Sequence, residues 1–124
     1  MREIKLKYIK NFSEEKDRLL ALYTKYYGNK IAEQRFNERI PWYNSRDNFK
    51  VLIAEVGGEY VGQSCAYSAN ANIKGKKTTI FWGVDTFVLG TMRGLGIGKK
   101  LQEEIMDLKR LLSVYREGIL KEKI

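Results

Sequence analysis

The chain of 124 residues is 44% hydrophobic and 12% aromatic, which predicts one folded domain over residues 1–124 and excludes a disordered chain. It contains no histidine and a single cysteine, so Ser–His or Cys–His catalysis, a histidine-built metal site and an internal disulfide are excluded. A formal net charge of +8 favours an anionic ligand, either a nucleic acid or a phosphate-bearing cofactor.

The first part of the chain predicts one strand and two helices. Residues 3–9 alternate apolar and basic side chains, which is typical of a half-exposed strand. A first helix is predicted from an N-cap at Ser13 to a C-cap at Gly28. A second helix is predicted over residues 30–40, and Pro41 should stop it.

Three β-type runs follow. "NFKVLIAEV" (48–56) and "EYVGQSCAYSA" (59–69), joined by two glycines, predict a hairpin, and the polar residues 70–77 predict a loop. The longest run is "TTIFWGVDTFVL" (78–89), which is apolar on both faces and is therefore expected at the centre of a sheet covered by helices. The alternation places Ile80, Trp82, Val84 and Val88 on one face, and Phe81, Phe87 and Leu89 on the other.

From Ile97 the apolar period becomes helical. The stripe comprises Ile97, Leu101, Ile105, Leu108, Leu112 and Tyr115, while residues 116–124 are ambiguous. Together the elements predict a sheet covered by helices.

The stretch "FVLGTMRGLGIGKKL" (87–101) joins the longest strand to this helix. Glycines at 94, 96 and 98 let several backbone amides point into one concavity at the positive end of the helix dipole. Arg93, Lys99 and Lys100 add positive charge. The stretch therefore predicts a site for a phosphate group.

Two common phosphate-binding motifs do not fit this stretch. The dinucleotide fingerprint requires a glycine where Lys99 stands, and the P-loop requires a glycine at Arg93 and a serine or threonine at Lys100. An ordinary glycine-rich turn would explain one of the glycines but not three alternate ones.

Arg93, Gly96 and Gly98 follow the pattern Arg-x-x-Gly-x-Gly, in which x is any residue. With the preceding "FVLGTM" and the following "KKLQEEI", it resembles the acyl-CoA-binding signature of the GNAT acyltransferase superfamily. The predicted order of elements also matches the N-terminal order of that family. The resemblance therefore implies an α/β (α+β) fold with a mixed, largely antiparallel central sheet flanked by helices, truncated at its C-terminus.

The resemblance implies how the residues would act. The amides of Arg93, Gly94, Leu95, Gly96, Ile97 and Gly98, with Lys99 beside them, would bind the pyrophosphate of acetyl-CoA. The backbone of Phe87, Val88 and Leu89 would pair with its pantetheine arm, and the Val88 amide would polarise the thioester carbonyl. An amine would attack directly, so neither a covalent enzyme intermediate nor a metal is expected.

A base must accept the proton of the amine, and Asp85 is the best acidic candidate. It belongs to the predicted long strand, where a carboxylate partly removed from water binds a proton more readily. The simpler reading of Asp85 is a polar residue at a splayed part of the sheet, with no catalytic role. Glu55 is the weaker alternative and is more simply read as solvent-facing or ion-paired.

Other residues allow two interpretations. The aromatic residues Tyr23, Tyr26, Tyr27, Trp42 and Tyr43 could line an acceptor site, although such a stripe is more often core. Cys65 is more simply a small buried hydrophobe than a nucleophile. The lysines at 74, 76 and 77 are most simply a solvated loop, with contact to the adenosine phosphate of the cofactor as the alternative.

The resemblance also has a gap. The family continues beyond the third helix, and no tyrosine here matches the one that often protonates the leaving thiolate. In the family a fifth strand lines one side of the long strand. Here that side is expected to be free, so that side and the third helix are predicted to form the interface of a homodimer or a higher oligomer.

The resemblance implies an N-acetyltransferase that uses acetyl-CoA and a small-molecule or peptide amine as the acceptor. The alternatives are a non-catalytic acyl-CoA-binding module, a half-domain completed by a partner and, less favoured, a nucleic-acid-binding domain. The single cysteine predicts a cytoplasmic location, and no apolar run is long enough to cross a membrane.

Overall fold

The computed structural model describes residues 3–44 and 49–108. Their elements in chain order are β1 (Ile4–Tyr8), α1 (Lys16–Tyr27), α2 (Asn29–Asn44), β2 (Phe49–Val56), β3 (Glu59–Ile73), β4 (Lys76–Val88), a 3-10 turn (Gly90–Met92) and helix α3 (97–108). The predicted continuation of the helical stripe to Leu112 and Tyr115 and the ambiguous segment 116–124 lie outside the described residues.

The four described strands form one antiparallel sheet in the order β1-β2-β3-β4. Helices α1 and α2 cover one face, where the ring of Tyr23 contacts that of Phe87. Helix α3 covers the other face, where the fully buried Leu101 lies against Gly62. The predicted antiparallel sheet flanked by helices is thus confirmed.

A β-bulge near the end of β4 changes which side chains share a face. Val84 pairs with Cys65 and Phe87 with Gln63, so two residues of β4 lie opposite one residue of β3. The extra residue inverts the alternation that follows it. Phe87 and Leu89 consequently share a face with Val84, and the predicted grouping of Val88 with Val84 is wrong.

The expectation that the long strand is central is also wrong for the described sheet. Within residues 3–44 and 49–108, β4 pairs only with β3, and the side chain of Trp82 is 48% exposed. Apolar residues on both faces of a run show what it can bury, but they do not fix how many strands lie beside it.

The predicted loop over residues 70–77 is a continuous hairpin instead. Pairing of β3 with β4 continues to Ile73 and Lys76, and Lys74 and Gly75 turn the chain with φ of 52° and 80°. A two-residue turn with positive φ at both central residues matches the twist of the paired strands. The polar residues belong to an exposed ribbon, which does not need apolar side chains. The glycine turn at residues 57–58 is confirmed.

The helix ends differ from expectation at two of three positions. Ser13 does not cap α1; its N–H donates to Oδ1 of Asn11 at 3.0 Å, and the helix begins only at Lys16. Gly28 ends α1 as predicted, with φ of 91°. Pro41 lies inside α2.

The last turn of α2 persists beyond this proline because aromatic packing holds it. The ring of Tyr43 stacks on Phe49 at 4.5 Å, and the ring of Trp42 meets Phe49 edge-on at 4.8 Å. This tertiary contact offsets the backbone hydrogen bond that a proline cannot make.

Candidate active site at the end of β4

The end of β4 presents one backbone amide away from the sheet. The N–H of Leu89 donates to the carbonyl oxygen of Val61 at 2.9 Å, so residue 89 faces β3. Amides alternate in direction along an antiparallel strand, so the N–H of Val88 points toward the open side of β4. Of the strand residues predicted to contact an acyl donor, Val88 therefore has the available donor group, whereas the amide of Leu89 is already used.

The glycine loop brings further free amides beside this strand end. Gly94 and Gly96 have φ of 86° and 78°, which a side chain would strain. The N–H of Lys100 donates to the carbonyl of Gly96 at 3.0 Å and starts α3. Among the described residues, the backbone amides of 94–98 donate to no backbone carbonyl. A row of unpaired amides at a helix N-terminus is a favourable site for an anion.

Side-chain packing joins the loop to the strand. A Cβ on Gly62 would lie 3.3 Å from Cγ2 of Val88, and one on Gly98 would lie 3.7 Å from the same atom. Ile97, 1% exposed, anchors the start of α3, while Leu95, 58% exposed, projects from the loop. Arg93 and Lys99 are exposed and leave the loop positively charged. The strand amide and the loop amides thus belong to one packed unit.

Asp85 occupies the bulge of β4 in a conformation that is uncommon for a side-chain-bearing residue, with φ of 50°. Its Oδ2 accepts a hydrogen bond from the hydroxyl of Tyr43 and forms an ion pair with Arg39. Its carbonyl oxygen accepts a hydrogen bond from Nε2 of the buried Gln63 at 3.0 Å. Contacts from α2 and β3 therefore fix both the backbone and the carboxylate of this residue.

The neighbours of Asp85 retain their protons at neutral pH. The hydrogen bond to the carboxylate, more than any other cause, raises the pKa of Arg39. Burial is the main cause that raises the pKa of Tyr43, and the contact with Asp85 adds to it. Both groups therefore act as donors to the carboxylate.

Sequence reasoning did not find this cluster. No local pattern distinguishes Arg39 or Gln63, and the sequence presents Tyr43 only as one of several aromatic residues. These residues are far apart in the chain and come together only through the packing of α2 against the sheet, so no local motif could reveal them.

The predicted aromatic wall divides into two parts. Tyr23 and Tyr43 are buried, as expected of core residues. Tyr26 is 41% exposed, and its ring stacks on that of Phe87 with centroids 3.9 Å apart. Tyr27 meets Phe87 edge-on at 5.9 Å. The open surface beside the strand end is therefore aromatic.

The remaining candidates have structural surroundings. Burial raises the pKa of the fully buried Cys65 thiol, so this residue keeps its proton and behaves as a small hydrophobe. Glu55 forms an ion pair with Arg18 at 2.9 Å, as the simpler reading expected. The lysines of the β3–β4 hairpin are exposed.

The described residues contain neither a candidate metal site nor a candidate membrane-spanning helix. Within 3–44 and 49–108, no group of three or more acidic or cysteine side chains could hold a metal ion. None of the described helices has the length and apolar character needed to span a bilayer.

Comparison with known proteins identifies a family. The family model for the GNAT acetyltransferases matches residues 16–117. A comparison with curated protein sequences gave no match.

Three solved structures illustrate the similarity of fold. Glucosamine-6-phosphate N-acetyltransferase from Arabidopsis thaliana is 18% identical with a TM-score of 0.67, covering 89% of this chain and 76% of its own. An aminoglycoside acetyltransferase from an uncultured soil metagenomic sample is 20% identical with a TM-score of 0.65, covering 88% and 73%. Aminoglycoside N-acetyltransferase AAC(6')-Iy in complex with CoA is 14% identical with a TM-score of 0.63, covering 89% and 71%.

Proposed function

The chain belongs to the GNAT acetyltransferase family, and from this premise we propose that it transfers the acetyl group of acetyl-CoA to an amine. The observation that carries the proposal is the set of unpaired amides at the end of β4 and in the loop over residues 94–98. A solved structure of similar fold contains CoA, and the names of others describe acetyl transfer to amino sugars and aminoglycosides.

The loop amides fit the pyrophosphate of the donor. Their N–H groups are unpaired among the described residues, glycines keep side chains out of the concavity, and Arg93 and Lys99 supply positive charge. The amide of Val88 then donates to the thioester oxygen, on which negative charge develops during the reaction. Phe87 and Leu89 flank this donor and hold the strand end in place.

The acceptor approaches from the open aromatic side of Phe87. A C–N bond forms as the C–S bond of the thioester breaks, the amine gives up one proton, and the released thiolate takes one. Asp85 is the proposed proton acceptor because it is the carboxylate fixed in the bulge two residues before Phe87.

Calorimetry tests donor binding. Gly96→Asp adds a side chain and a negative charge to the loop at a φ of 78° and should abolish acetyl-CoA binding. Gly75→Asp is the matched control because it adds the same group at a φ of 80° in the remote hairpin turn and should leave the affinity unchanged. Equal affinity of wild type and Gly96→Asp would remove the loop from the site.

Assembly and location complete the proposal. The chain forms a homodimer through the open side of β4, where Trp82 is exposed and the described residues supply no further strand. We place it in the cytoplasm, where the supply of acetyl-CoA and a reducing environment suit its single, buried thiol.

A further inference from the structure

Two arginines of α2 face the region beside the bulge of β4. Arg35 and Arg39 are four residues apart and therefore lie on the same side of the helix. The guanidinium of Arg39 pairs with Asp85, whereas that of Arg35 lies over the ring of Tyr27, 5.8 Å from its centroid.

Arg35 has an aromatic partner, the ring of Tyr27. Among residues 3–44 and 49–108, no carboxylate lies within ion-pair distance of its guanidinium, although the side chain is partly buried. Arg18, in contrast, pairs with Glu55 at 2.9 Å. Among the described ion pairs, the carboxylate of Asp85 is therefore the partner of Arg39 and not of Arg35.

The same three charges surround the hydroxyl of Tyr27. Burial is the main cause that raises the pKa of this tyrosine; Arg39 and Arg35 act against the rise, and Asp85 adds to it. Tyr27 also contacts Phe87, the residue before the proposed oxyanion donor. A continuous set of contacts therefore leads from the end of β4 through Phe87 and Tyr27 to Arg35.

We propose that the acceptor is an amine with an anionic group, a phosphate or a carboxylate, and that Arg35 binds this group. A guanidinium held over an aromatic ring is preorganised for the paired hydrogen bonds that phosphates and carboxylates accept. A polycationic acceptor would instead bring further positive charge against Arg35 and Arg39, which disfavours it. This inference rests on the proposed acetyltransferase function and specifies its substrate class.

Matched acceptors test the preference. Release of free thiol from acetyl-CoA is measured with ethanolamine phosphate against ethanolamine, with 4-aminobutyrate against butylamine, and with spermidine. The anionic member of at least one pair should have a kcat/KM about tenfold to a hundredfold higher, the range of a charge-assisted hydrogen bond. The preferred pair identifies the anion. A preference for the neutral partners or for spermidine would overturn the proposal.

Substitution assigns the preference to one residue. Arg35→Gln should bring the ratio within the preferred pair close to one without changing the affinity for acetyl-CoA. Lys30→Gln, which removes the same charge from an exposed position five residues earlier on α2, should keep the ratio. An unchanged ratio in Arg35→Gln would also overturn the proposal.

A binding measurement separates this proposal from the acetyltransferase assignment. With CoA saturating, inorganic phosphate should raise the unfolding midpoint of wild type and Lys30→Gln above chloride of equal ionic strength, but not that of Arg35→Gln. Equal shifts in all three proteins would overturn the role of Arg35 even if amines are acetylated. Failure of any amine to be acetylated, with the phosphate effect intact, would contradict only the assigned reaction.

Discussion

At the scale of single residues, Asp85 decides how the chemistry is assigned. Its carboxylate is fixed by Arg39 and Tyr43, a geometry that suits either a proton acceptor or a residue that holds the bulge. Asp85→Asn keeps the shape but cannot accept the proton, so we expect turnover to fall about a hundredfold or more while acetyl-CoA binds normally.

A matched substitution makes this experiment specific. Glu55→Gln also removes a carboxylate that pairs with an arginine, but this carboxylate belongs to β2 and its partner is Arg18 of α1. Steady-state kinetics of both variants should show the loss only for Asp85→Asn. Wild-type turnover in Asp85→Asn would exclude Asp85 as the base.

Tyr8 gives a prediction about stability and pH. Its hydroxyl is buried with no hydrogen-bond partner among the described residues, and burial raises its pKa from 10 to about 12. The folded state therefore holds a proton that the unfolded chain releases between those pH values, so stability falls as pH rises through this window. Tyr8→Phe should raise the free energy of unfolding by about 1 kcal/mol at neutral pH and reduce its decline above pH 10.

Urea unfolding at neutral pH and within the alkaline window measures both effects. Tyr26→Phe, which removes a hydroxyl from an exposed side chain, is the control and should leave the free energy of unfolding nearly unchanged. A destabilised Tyr8→Phe would mean that the hydroxyl has a partner.

At the scale of elements, Gly62 lies where β3, β4 and α3 are packed together. A Cβ there would lie 3.0 Å from the carbonyl oxygen of Phe87 and 3.3 Å from Leu101, and the carbonyl is backbone that cannot rotate away. Gly62→Ala should lower the free energy of unfolding by about 1–3 kcal/mol. Gly90→Ala, at a glycine with open space and no positive φ, should be nearly neutral in the same denaturation experiment.

The elements that sequence predicted well are those with strong local signals. Gly28 ended α1, the two glycines after β2 formed a turn, and the glycine loop preceded a helix, because each requires a particular local backbone. Pro41 and the polar hairpin were mispredicted because packing against Phe49 and strand pairing overrode local preference.

The site was predictable only in its backbone part. Glycines at 94, 96 and 98 reveal where side chains are missing, so the loop could be found from sequence. The bulge at Asp85 leaves no such signal, because aspartate adopts its conformation without glycine. The partners Arg39 and Gln63 come from other elements, and only the fold brings them to Asp85.

At the scale of the whole molecule, the open side of β4 predicts association. Trp82 is 48% exposed on this strand, and Ile31 is 44% exposed on α2. Light scattering at micromolar concentration should give twice the mass of one chain for wild type and Ile31→Glu, and a monomer for Trp82→Glu. A wild-type monomer would contradict the dimer.

The two tight turns of the β2–β3–β4 meander also have a consequence for folding kinetics. Both place positive φ at adjacent central residues, so these hairpins close short loops with little entropic cost. β1, in contrast, pairs with β2 only after α1 and α2 have intervened, which is a contact of high sequence separation. The meander should therefore form in the folding transition state and β1 should join last.

Val61→Ala should mainly slow folding, and Leu6→Ala should mainly speed unfolding, in stopped-flow chevron measurements. The reverse pattern would place the nucleus at the N-terminal strand.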